Sequence, residues 1–158
     1  MEDCADISKL GCSTVVPEIA EAFEQQARCA IVVDSELPAG RAANAAAVIA
    51  LTLGKLYPEL AGADLIDASD FTHPGLIPIG ITVLAAPAPD LASVRQKALK
   101  AGINVVDFPS QGQQTNDYRE FGARVRGVAA EDLVYVGVGL YGTRKAVGKV
   151  VGKYSLLR

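Results

Sequence analysis

Four short apolar runs punctuate the chain: Cys29–Val33, Ile79–Ala86, Ile103–Phe108 and Leu133–Leu140, each bounded by turn residues. Cys29-Ala-Ile-Val-Val and Leu133-Val-Tyr-Val-Gly-Val are nearly continuous rather than alternating, the pattern of strands covered on both faces. Helical stretches lie between them. Pro38–Tyr57 is long and alanine-rich, with proline near its start and Pro58 at its end. Pro89–Ala101 places Leu91, Val94, Ala98 and Leu99 on one face and stops at Gly102. Thr143–Leu156 follows the last strand, and a shorter helix over Pro17–Ala27 pairs Ile19 with Phe23. This alternation predicts a three-layer α/β/α sandwich. Asp64–Pro78 reads as a long irregular connection. The expected organisation is one domain over 1–158, with residues 1–27 an N-terminal extension and 28–158 the core.

In the alanine-rich helix, Arg41, Asn44, Thr52 and Lys55, with Val48 filling the gap, form one narrow outward stripe. Nearly everything else is Ala, Val, Ile or Leu. A helix covering one sheet face needs an apolar stripe of only about 100°. A second packing partner is therefore implied, either the N-terminal helix or another subunit, and a homodimer is expected.

Composition narrows the class. Of 158 residues, 50% are hydrophobic and 21% charged, enough to bury a core and too few charges for a disordered chain. The densest apolar run, Ala42–Leu53, falls short of the roughly 20 residues of a membrane span. The acidic start, MEDCADISK, is not that of a signal peptide, and a cytoplasmic location is expected. Cys4, Cys12 and Cys29 form neither a C-x-x-C pair nor an even set, which argues against disulfides and zinc. Cys29 reads as a small core residue, and the lone His73 as a surface or satisfied loop histidine. No metal or cofactor is expected. The net charge of −3 divides unevenly: residues 1–90 carry 4 basic against 13 acidic side chains, and residues 91–158 carry 11 against 5. The acidic total argues against nonspecific nucleic-acid binding, which needs a basic face.

Three segments are candidates for chemistry. Gly137-Val-Gly139-Leu-Tyr-Gly142 matches G-x-G-x-x-G, but it belongs to the last strand and no acidic residue follows at dinucleotide spacing. Its glycines read instead as sites of close backbone or helix packing. Asp34-Ser-Glu-Leu-Pro-Ala-Gly-Arg41-Ala-Ala-Asn44 runs from a strand's carboxyl end into a helix start, the edge where open α/β sheets bind ligands. Pro109–Tyr118 is a polar loop after another strand, longer than closure requires. No Ser-His-Asp or Cys-His set and no paired carboxylates converge by sequence.

Taken together, these segments resemble peptidyl-tRNA hydrolase type II over roughly residues 28–157. Val32-Val33-Asp34-Ser35-Glu36-Leu37-Pro38-Ala39-Gly40-Arg41 aligns without a gap to that family's VVRTDLKMGK. Val136–Gly139 is similar to its LGIG, and Gly148–Lys153 to its closing helix. A still closer resemblance is to a bacterial relative, the domain-of-unknown-function family two thousand, of the same fold. The resemblance implies a mixed four-stranded sheet between helices. The hydrolases' Lys, Gln and His fall here on Ala43, Ala47 and Ala50, and the Asp of their DAGRT loop on Ser110. That departure removes a phosphate-contacting lysine, so the fold is expected to carry over and the hydrolase activity is not.

In the resembled fold the two polar loops leave the same sheet edge. The expected site therefore sets Asp34, Arg41 and Asn44 opposite Gln111, Gln113 and Thr115, groups suited to a small polar or anionic ligand. A small-molecule-binding or regulatory module is the leading expectation. An aminoacyl- or peptidyl-ester hydrolase with a rearranged site is the alternative.

Overall fold

The computed structural model describes residues 26–158. Its elements are β1 (Ala27–Asp34), α1 (Ala39–Leu56), β2 (Leu65–Ile66), β3 (Thr72–His73), β4 (Ile81–Ala86), α2 (Ala88–Lys100), β5 (Asn104–Pro109), α3 (Tyr118–Arg126), β6 (Tyr135–Thr143), α4 (Arg144–Val151) and β7 (Ser155–Leu156). Cys4, Cys12 and all but the end of the helix expected over Pro17–Ala27 lie outside the described residues. Ala27 itself opens β1.

The main sheet has the order β5-β6-β1-β4-β7. Only β1 and β4 run parallel; β6 is antiparallel to both β1 and β5, and β7 to β4. The sheet is therefore mixed, with five strands rather than four. The fifth strand comes from the tail of the last expected helix, which ends at Val151 instead of Leu156. Beyond Gly152 the chain turns, and Ser155 and Leu156 pair with Ala85 and Leu84. An edge strand presents unpaired main-chain donors and acceptors, and this short strand satisfies part of β4's row. The Asp64–Pro78 connection also holds more order than expected. β2 and β3 pair as a small hairpin around Asp67, whose carboxylate accepts from the Ser69 and Phe71 amides and lies 3.2 Å from His73 Nε2.

Two apolar layers sandwich the sheet. On one side, Ala42, Ala45, Ile49 and Leu53 of α1 pack on Cys29, Ile31, Val33 and Tyr141. On the other, Leu91, Val94 and Ala98 of α2 and Val147 and Val151 of α4 cover Ala30, Val32, Val138 and Leu140. Each large aliphatic side chain so buried contributes about 1.5–3 kcal/mol. Cys29 is a core residue, and burial pushes its thiol up to about 11.

The glycines of the last long strand do what close packing requires. A Cβ on Gly139 would stand 2.3 Å from Ile49 Cγ2, and one on Gly137 would stand 2.8 Å from Ile49 Cδ1. The missing side chains let α1 lie directly on β6. Outward, α1 leaves Val48 and Leu51 in solvent, Leu51 at 78% exposure.

Candidate functional site

Strand direction decides which loops meet. Val33 and Phe108 both pair with Gly137, from opposite sides of β6. The carboxyl ends of β1 and β5 therefore flank the start of β6, one strand apart, on one edge of the sheet. The two polar segments leave from that edge.

After β1, the Ser35 amide donates to Ala86 O at 2.9 Å, extending the pairing with β4 by one step. Asp34 Oδ1 then accepts from the Glu36 amide at 3.0 Å, closing a side-chain-supported turn. Pro38 is the N-cap of α1, with no side-chain cap and no acidic residue in the first turn. Arg41 and Asn44 follow on the exposed side of the helix, and buried Ala42 and Ala45 anchor the opposite side. Among the described residues, no side chain pairs with that of Arg41 or Asn44.

After β5, the chain enters a single 3-10 turn, Ser110–Gln113, fixed by the Ser110 amide on Val134 O. Gly112 is required there: a Cβ would stand 2.3 Å from Phe108 Cε2 and 3.0 Å from Phe121 Cζ. Gln113 Nε2 reaches across and donates to Arg41 O at 3.2 Å. Gln111 is half-buried, and its Oε1 is buried without a hydrogen-bond partner among the described residues.

Thr115 faces its own helix. Its hydroxyl donates to Glu120 Oε2 at 2.6 Å and accepts from the Asp117 amide at 3.1 Å. Asp117 caps α3 through the Arg119 and Glu120 amides, and Arg124 clamps Glu120 and Gln114. The Thr115 hydroxyl first, and Arg124 next, hold the Glu120 carboxyl below its ordinary range. The structure thus brings Gln113 to Arg41, with Asn44 one turn further along α1. It commits Asp34 to a turn and Thr115 to the α3 cap.

Sequence reasoning missed the apolar part of this edge. Phe108, Phe121 and Tyr118 form a ladder of rings with centroids 6.3 and 5.9 Å apart, running from the core to Tyr118 at 84% exposure. With Val48 and Thr115 they line a groove of about 190 Å³. Tyr118 and Phe121 stand three residues apart, a helical pair hidden by the polar residues before it. No cluster of three potential metal ligands occurs among the described residues.

No helix among the described residues is long and apolar enough to cross a membrane. No curated protein matches the chain. Among solved structures, it is similar to a protein of unknown function from Agrobacterium tumefaciens strain C58. The two share 18% identity at a TM-score of 0.76, over 83% of this chain and 97% of that one. That likeness is one of fold. The family described as "Protein of unknown function (DUF2000)" matches residues 27–158, the whole sheet with its covering helices, and the chain belongs to it.

Proposed function

We propose that the edge between the β1–α1 turn and the Ser110–Gln113 turn binds a small polar or anionic ligand. On this reading the chain is a small-molecule-binding or regulatory module, with a fold like that of peptidyl-tRNA hydrolase type II. The observation that carries it is the hydrogen bond from Gln113 to Arg41 O, which fastens the Ser110–Gln113 turn to the start of α1, beside Arg41 and Asn44 side chains that no described side chain engages. A guanidinium supplies a forked set of donors to a carboxylate or phosphate, and such charge-assisted bonds are the strong ones. Gln113 fixes the backbone that carries it, and Asn44 adds an amide.

Binding is favoured over hydrolysis because Ala43, Ala47 and Ala50, aligned with the hydrolases' functional side chains, can neither hold a phosphate nor move a proton. Titration of the chain with a panel of carboxylates and phosphate esters, followed by amide NMR, tests the reading. Saturable shifts centred on Arg41, Asn44 and Gln113 are expected. Cleavage of peptidyl-tRNA at physiological salt would replace this reading with the hydrolase.

A further inference from the structure

At the opposite edge of the sheet, a second cavity of about 330 Å³ lies where β6 ends and α1 gives way to the turn Pro58–Leu60. Two tyrosines from distant parts of the chain form its wall. Tyr57, at the C-cap of α1, and Tyr141, on β6, stand with ring centroids 5.0 Å apart and planes tilted by 54°. Tyr141 is only 5% exposed, so this ring is held by the core rather than swinging in solvent. Glu59 lines the same cavity and is the one ionisable acid or base there besides the two phenols, among the described residues. Asn104, paired with Tyr141 across the sheet, and Thr143 add neutral polar groups.

We infer that this cavity is a binding site for a small organic cation of the alkylammonium class, held against the half-buried Tyr57 ring, which the buried Tyr141 ring backs, and balanced by the Glu59 carboxylate. The face of an aromatic ring is the negative end of its quadrupole, and adjoining rings around a carboxylate favour a soft, weakly hydrated cation. The electrostatics agree: burial first, and the Glu59 charge next, push the Tyr141 phenol up, so Glu59 acts on that ring from close by. Two neighbouring cations are directed elsewhere. Lys55 lines a separate apolar cleft of about 680 Å³, and the Arg28 guanidinium lies against Gly148 of α4. The described rings that carry a cation of this chain are Tyr135, under Arg95, and Tyr154, under Lys153. Among the described residues, no cation of this chain lies over Tyr57 or Tyr141.

The test compares choline with 3,3-dimethylbutan-1-ol, a neutral molecule of the same shape, on the full chain, with ring and amide signals followed by NMR. Saturable shifts at Tyr57 and Tyr141 are expected with choline, and binding about tenfold weaker with the neutral probe. Glu59→Gln, at an exposed position, is expected to remove most of that preference. Arg41→Ala, at the other edge, is expected to leave it unchanged. Equal binding of the two probes would reduce the cavity to an apolar hollow. The absence of saturable shifts at these rings, or a choline preference unchanged in Glu59→Gln, would overturn the assignment.

Discussion

Gln113 donates to the main-chain oxygen of Arg41 across 72 residues of sequence, at 3.2 Å. The bond uses no part of the guanidinium, so it positions Arg41 while leaving its charge available. Replacing Gln113 with alanine is expected to cost about 0.5–1.5 kcal/mol, the usual net value of one hydrogen bond. Urea denaturation measures the loss, and amide exchange is expected to quicken in the 110–114 turn while the β1–β6 pairing stays protected.

Arg41→Ala has a different expected signature. The side chain is exposed, so the melting temperature is expected to stay put. Affinity for whichever carboxylate or phosphate ester binds this edge falls by ~1–3 kcal/mol if the contact is charge-assisted. Calorimetric titration beside a thermal melt separates the two effects, and an unchanged affinity would remove Arg41 from the site.

Transfer RNA is expected to bind weakly, with an affinity that drops steeply as salt is raised. The chain carries a net −3, and Ala43 offers phosphate no charge. Gel shifts across a salt series check this, and tight binding that persists at physiological salt would contradict it.

The packing of α1 on β6 gives a prediction about stability alone. Gly137→Ala puts a methyl group 2.8 Å from Ile49 Cδ1, and the overpacking is expected to cost about 1–3 kcal/mol. Pairing it with Ile49→Val removes Cδ1 from that contact. The double variant is expected to recover part of the loss in chemical denaturation.

Acid is expected to loosen specific ties. Lys153 and then Tyr154 hold Asp90 below the ordinary carboxylate range, and the Phe71 and Ser69 amides do the same for Asp67. A carboxyl with a lowered folded value stabilises the fold fully above its unfolded value and loses that contribution as pH falls through the folded one. Stability is therefore expected to be flat near neutrality and to fall once pH drops below the ordinary carboxylate range. In melts across pH, Asp90→Asn should show a shallower acid decline than the native chain.

The alternation of strands and helices was legible because each element carries its own periodicity. Ala42, Ala45, Ile49 and Leu53 mark the buried side of α1, and Leu91, Val94 and Ala98 that of α2. Strand direction was not legible in continuous apolar runs, since a strand buried on both faces looks alike in parallel and antiparallel sheets. β7 was hidden for another reason: two residues have no periodicity, and Ser155-Leu156 becomes a strand only because β4 has an open edge. At the candidate site, Arg41 and Gln113 could be singled out by position after their strands. The roles of Asp34 and Thr115 depend on amides and carboxylates two to five residues away, whose geometry appears only once the turns have formed.

Gly137 and Gly139 have a consequence for how this fold can be re-lettered. With no β6 side chain at these two positions, the height of the helix above the sheet is set there by backbone and by Ile49 and Leu53. The outward positions 41, 43, 44 and 47 take no part in that spacing. Binding preference at this edge can therefore drift, one outward letter at a time, while the platform beneath stays at constant height.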